Sequence, residues 1–178
     1  MSIGNELLMI FILILVNAVL AMSEAALVAS RKARLQQQAG EGNKSSALAI
    51  KLIEDPNIFL STIQIGITLI GVLAGAVGGA TIAESLAVVL HNIPYISEYS
   101  TSIALGIVVL SITILTIWLG ELVPKRLGLN SPEKIAQVVA GPMLFLSVVF
   151  SPFIRLMSGA TNFVLRLMGV NPSTDPPI

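Results

Sequence analysis

Long apolar runs alternate with short polar breaks along this chain. Apolar residues dominate 7–29, 58–90, 102–119 and 135–153, and the second run is strongest over 58–80. A helix needs about 20 apolar residues to cross a bilayer, so each run is a candidate span. The fourth is interrupted by Gly141-Pro142 and Pro152, and proline inside a helix removes a donor and clashes with the preceding turn. Beyond Pro152, the residues Phe153, Ile154, Leu156, Met157, Phe163, Val164, Leu167 and Met168 alternate with Arg155, Ser158, Asn162 and Arg166. That pattern suits an amphipathic helix lying at the membrane interface.

Charge placement decides the orientation. Arg31, Lys32, Arg34, Lys44 and Lys51 lie between the first and second runs, and Lys125, Arg126 and Lys134 follow the third, whereas residues 91–101 hold no Lys or Arg. Short loops rich in Lys and Arg stay inside, which predicts an outside N-terminus and a cytoplasmic C-terminus. A crossing fourth run would carry Arg155 and Arg166 outside, against that rule. The expected fold is therefore an all-α membrane protein with three transmembrane helices, cytoplasmic juxtamembrane helices and an interfacial or re-entrant belt helix, in preference to four spans. Residues 31–55 read as two short helices split at Gly40-Glu41-Gly42-Asn43, the second capped by Ser45-Ser46 and ended before Pro56. The membrane domain is expected over residues 1–170. Residues 171–178, with Pro172, Pro176 and Pro177, resemble the start of a linker, as in a piece of a longer protein.

Composition agrees with a membrane chain: 54% of residues are hydrophobic and 11% charged, with mean hydropathy +0.89, against about 25% charged in a soluble domain. The first run lacks the preceding basic residues of a secretory signal, so it is read as a retained span. There is no cysteine and one histidine, His91, which excludes disulfides, thiolate metal sites and His clusters. No nucleotide-binding glycine loop, nucleophile triad or hydrolytic motif is present, so neither an enzyme nor a nucleic-acid partner is expected. His91 reads as a polar loop residue and Trp118 as a packing or interfacial anchor.

Candidate chemistry lies where polar groups interrupt the spans. Glu121, in Gly120-Glu121-Leu122-Val123-Pro124-Lys125-Arg126, ends the third run. An ionisable residue at membrane depth is a functional-site hypothesis by default; the plainer reading is an ion pair with Lys125 or Arg126. Ser23 and Glu24 precede Arg31 by about two turns, roughly 10–12 Å; the plainer reading of Glu24 is a pair with Arg31 or Lys32. Gln64 and Thr68 fall at similar depth in the second run, where Gly66-Ile67-Thr68 is a candidate irregular turn that frees carbonyls. Three spans with polar groups at one depth are able to close around a cation, and an all-oxygen ligand set suits a hard cation such as Mg²⁺, Ca²⁺ or Na⁺. Two carboxylates suit an organic polycation as well. Gly71, Gly75 and Gly79 share one helix face, which permits close helix packing, either ordinary packing or a subunit interface or moving seam.

These stretches give the chain a family resemblance. Met22-Ser23-Glu24-Ala25-Ala26-Leu27 before Arg31-Lys32, then Ser61-Thr62-Ile63-Gln64-Ile65-Gly66, then Gly120-Glu121-Leu122-Val123-Pro124-Lys125 together resemble the membrane domain of the CNNM/CorC (hemolysin-C-like) family. The resemblance implies a homodimer of three-span subunits in the plasma (inner) membrane, with a belt helix. A cytoplasmic pair of CBS domains, often binding ATP, would follow. It implies Mg²⁺ efflux driven by Na⁺ entry, at an ion site built from a first-span serine, a second-span asparagine and the Gly-Glu region of the third span. Gly120 and Glu121 match. The serine position falls on Ala21, with Ser23 its neighbour, and the asparagine position on Ile67 or Thr68. The expected cation site is therefore Glu121 and Gly120 with Thr68, Ser23, Glu24 and Gly66, and the expected dimer packing uses Gly71, Gly75 and Gly79. The two replacements leave polyamine export, linked to some relatives, as an alternative to Mg²⁺. A non-transporting membrane anchor or regulatory module is the third reading.

Overall fold

The computed structural model describes residues 3–169, apart from the surroundings of Gly79 and Ala80; the expected linker at 171–178 lies outside the described residues. Every element among the described residues is helical: α1 (Ile3–Ala29), α2 (Lys32–Gly40), α3 (Lys44–Glu54), α4 (Pro56–Val77), a π-turn (Gly78–Ile82), α5 (Ala83–His91), a 3₁₀ turn (Ser97–Tyr99), α6 (Ser100–Ile117), a second π-turn (Trp118–Leu122), α7 (Val123–Asn130) and α8 (Pro132–Leu167). Four stretches are long and apolar enough to cross a membrane: Ile3–Ala29, Pro56–Val77, Ser97–Asn130 and Pro132–Leu167.

α1 is the central helix, packed against α4, α7, α8 and the second π-turn. Its sequence is apolar all round, so hydrophobicity alone does not choose the buried face. Small and polar residues mark it: Asn17, Ala21, Ser23 and Ala26 are buried, together with Ile10, Ile14, Leu20 and Leu27, while Leu8, Phe11, Ile12, Leu15 and Val19 remain exposed. In lipid, helices associate through close packing and polar contacts rather than through hydrophobicity. The closest approach to the main chain of α1 is at Gly128 of α7. A Cβ there would lie 2.7 Å from the Met22 carbonyl oxygen and 3.2 Å from the Ala26 nitrogen.

The core lies where α2 and α3 close one end of α1, α4 and α8. Leu27, Leu35, Ala49, Leu52, Phe59, Ile63, Ala136, Val139, Ala140 and Met143 form it. A polar seam edges it, with Gln137 Nε2 donating to Gln38 Oε1 at 2.6 Å and Lys32 pairing with Glu54 at 2.9 Å. The α2–α3 turn bends at Gly42, whose φ of 94° favours glycine. The cap of α3 differs from expectation: Asn43, not Ser45 or Ser46, occupies the N-cap, and its side chain accepts from the Ser46 N–H at 3.1 Å. An N-cap residue bonds the amide two or three positions on, so the capping residue stands before the serines. Pro56 follows the end of α3 and opens α4, where its missing N–H costs no helical bond.

Two expected irregularities are corrected. α8 runs unbroken for 36 residues through Pro142 and Pro152. Packing of Ala136, Val139, Ala140, Met143 and Ser147 against the bundle supports the helix across both prolines, as membrane helices allow when neighbours hold them. Residues 66–68 are regular α-helix within α4, and the backbone irregularities sit instead at 78–82 and 118–122. At the far end from α2 and α3, α5 and α6 form a hairpin seamed by Ala83, Ala87, Ala104 and Val108. His91 caps its loop, with Nδ1 3.2 Å from the Ser97 carbonyl oxygen.

Candidate functional site

The second π-turn faces the middle of α1, and its chemistry follows from one proline. In an α-helix the N–H of residue 124 would bond the carbonyl of residue 120, and Pro124 has no N–H. The freed Gly120 carbonyl accepts instead from Asn17 Nδ2 of α1 at 2.9 Å. Asn17 is 2% exposed, and its Oδ1 has no hydrogen-bond partner. Gly120 permits this approach: a Cβ there would stand 3.1 Å from Asn17 Nδ2 and 3.4 Å from the Ile14 carbonyl oxygen. Single π-turns inside α-helices are frequent at functional sites. Here the turn leaves a main-chain carbonyl and a buried amide oxygen side by side.

A charged cluster lies one turn further along the same two helices. Lys125 Nζ is 2.8 Å from Glu121 Oε1, within its own helical segment, and 3.3 Å from Glu24 Oε2 of α1. Glu121 thus takes the local partner that its spacing suggested. Glu24 does not pair with Arg31 or Lys32: Lys32 is held by Glu54, and Glu24 reaches across to α7. The three side chains are 30–39% exposed, and two carboxylates around one ammonium leave the cluster with excess negative charge. Among the described residues no three or more acidic or histidine side chains come together as a metal-ligand group.

Glu24 opens onto a cleft of about 640 Å³ between α4 and the later part of α8, lined also by Ser61, Gln64, Ser158, Thr161 and Asn162. This volume is within the range of small-molecule sites. A second, apolar groove of about 540 Å³ continues along α4 past Gln64 and Thr68 to Phe150 and Phe153. The remaining candidates are dispersed. Ser23 is buried and donates to the Val19 carbonyl at 2.6 Å, and Thr68 is exposed and donates to the Gln64 carbonyl at 2.8 Å. A Cβ at Gly66 would stand 2.7 Å from Leu20 Cδ1, so that glycine serves the α1–α4 contact. Gly71 and Gly75 meet nothing within 4 Å and line a gap of about 220 Å³ toward Thr113 and Thr116 of α6. Gly79 lies outside the residues whose surroundings are described.

Asn17 is the residue that the sequence reading missed. Its signal was the spacing of Gly120 to Pro124, which frees a carbonyl that some donor on a neighbouring helix must satisfy.

Apolar spans enclosing a polar carbonyl and a charged triad define a multi-pass helical membrane protein. The chain belongs to the CNNM family, whose model, the Cyclin M transmembrane N-terminal domain, matches residues 8–178. It is 45% identical over 177 residues to a UPF0053 protein of Synechocystis sp., covering 99% of this chain and 40% of that protein. It is 34% identical over 166 residues to the polyamine export protein of Salmonella typhimurium, covering 93% of this chain and 37% of the other. It is 32% identical over 163 residues to the polyamine export protein of Escherichia coli K12, covering 92% and 36%. The chain thus spans well under half the length of these relatives.

Proposed function

We propose that this is the membrane domain of a cation exporter, that its cargo is an organic polyamine, and that Glu24 and Glu121 form the seat for the cargo's ammonium groups. The observation that carries this reading is Lys125 Nζ, an alkylammonium, held between carboxylates of two different helices at 2.8 and 3.3 Å. A polyamine end presents the same chemistry. The cleft beside Glu24 gives it a polar approach, and the relatives of Salmonella typhimurium and Escherichia coli carry the name polyamine export protein. In this reading Lys125 fills the seat between transport events, and the gap beside Gly71 and Gly75 lets α4 and α6 shift as access alternates. The chain sits in the plasma membrane as a homodimer, N-terminus outside, with the exposed later part of α8 serving as a belt at the cytoplasmic face. Any CBS domains and their ATP belong to a cytoplasmic portion beyond this domain.

Mg²⁺ export, coupled to Na⁺ entry, is the second reading. The unpaired Asn17 Oδ1 beside the Gly120 carbonyl favours it, because neutral oxygens with a nearby carboxylate suit a hard, partly hydrated cation. Flux into proteoliposomes separates the two. Putrescine flux should be insensitive to Mg²⁺ and should fall at least about a hundredfold, about 2.7 kcal/mol, in Glu121→Ala. Mg²⁺ flux that putrescine fails to inhibit selects the second reading, and full flux in Glu121→Ala removes Glu121 from either.

A further inference from the structure

At the end of the bundle where α1 stops at Ala29, α7 stops at Asn130 and α8 begins at Pro132, these helices and α2 surround a polar cleft of about 520 Å³. Arg31, Arg34, Gln38, Asn130, Ser131 and Lys134 line it, together with Glu133. Glu133 is buried, and Arg34 pairs with it at 3.5 Å. Arg31 and Lys134 form no ion pair among the described residues, and the Ser131 hydroxyl makes no capping bond to α8. The cleft therefore carries excess positive charge with hydrogen-bond donors beside it. It also lies at the level where apolar helix gives way to polar chain, which is the level of lipid phosphates. Basic pockets between membrane helices at that level fit anionic headgroups.

We propose that this cleft binds the headgroup phosphate of an anionic phospholipid, with Arg31 and Lys134 as the charged contacts and Ser131 and Asn130 as neutral donors. A zwitterionic headgroup brings an ammonium against Arg31 and Lys134 and is disfavoured. The site is separate from the Glu24–Lys125–Glu121 cluster and does not depend on the cargo.

Native mass spectrometry of the detergent-purified chain tests the proposal, with phosphatidylglycerol, phosphatidylcholine and inorganic phosphate as probes. Phosphatidylglycerol should remain bound where phosphatidylcholine is stripped. Arg31→Gln/Lys134→Gln should weaken it roughly thirtyfold, each basic residue near the surface contributing about fivefold. Arg31→Lys/Lys134→Arg should retain it, as should Arg155→Gln/Arg166→Gln, which removes two exposed cations elsewhere. If the double glutamine variant fails to fold, Lys134→Gln alone, on an exposed side chain, should show a smaller loss. Equal retention of phosphatidylcholine, or undiminished phosphatidylglycerol binding in the glutamine variants, overturns the proposal. Displacement of the lipid by inorganic phosphate at equal concentration overturns the lipid assignment in favour of a free anion.

Discussion

The two π-turns share a backbone irregularity and differ in almost everything around it. In the first, at Gly78–Ile82, Gly78 is buried against the side chains of Ile112 and Val108. The second, at Trp118–Leu122, faces Asn17 and leads into Glu121 and Lys125. What separates them is the residue that follows. Ala83 and Val123 alike bond the first carbonyl of their turns, at Gly78 and Trp118, but one position further on the first turn meets Glu84, which has an N–H, and the second meets Pro124, which has none, so a side chain from α1 supplies a donor there. The extra residue of the second turn thus becomes a polar site because Pro124, just after the closing bond, has no N–H to give.

This contrast predicts a graded response to substitution. The largest effect belongs to Gly128→Val, beside the second turn, where the obstacle is the main chain of α1 at Met22 and Ala26 and cannot rotate away. Overpacking of that kind costs about 3 kcal/mol, read as loss of thermal stability in detergent. Asn17→Leu comes next. It leaves the Gly120 carbonyl buried without a donor, at a cost of about 1–3 kcal/mol. In a Pro124→Ala background the restored N–H competes for that carbonyl, and the same Asn17→Leu change should cost about 1 kcal/mol less; equal costs in the two backgrounds would break the argument from Pro124. Gly78→Ala should do least, roughly 1 kcal/mol or below, because the atom in its way is the tip of the Ile112 side chain. Its flux should match the parent chain.

Sequence reading reached the helices more easily than the site. Four apolar runs became four long helical stretches because hydrophobic length is a local property. Prolines misled at 142 and 152, since their cost depends on neighbours that hold α8 in place, and those neighbours come from α1, α3 and α4. The two-helix connector was legible from Gly40 to Asn43, but its cap depended on which residue stands three before a free amide. Glu121 with Lys125 was visible as an i,i+4 pair. Glu24 with Lys125 was not, because 101 positions separate them in the chain and only the α1–α7 packing at Gly128 unites them. Asn17 was not singled out, because its partner, the Gly120 carbonyl, lies 103 positions away in the chain.

The central claim is that one seat serves both the Lys125 ammonium and the cargo. Calorimetric titration of spermidine against the parent chain, Lys125→Met, and Lys125→Met combined with Glu24→Gln and Glu121→Gln tests it most directly. With the tethered ammonium removed, spermidine should bind about tenfold more tightly, about 1.4 kcal/mol, and the triple variant should lose that binding. Spermidine affinity that is unchanged or weaker in Lys125→Met would contradict the claim.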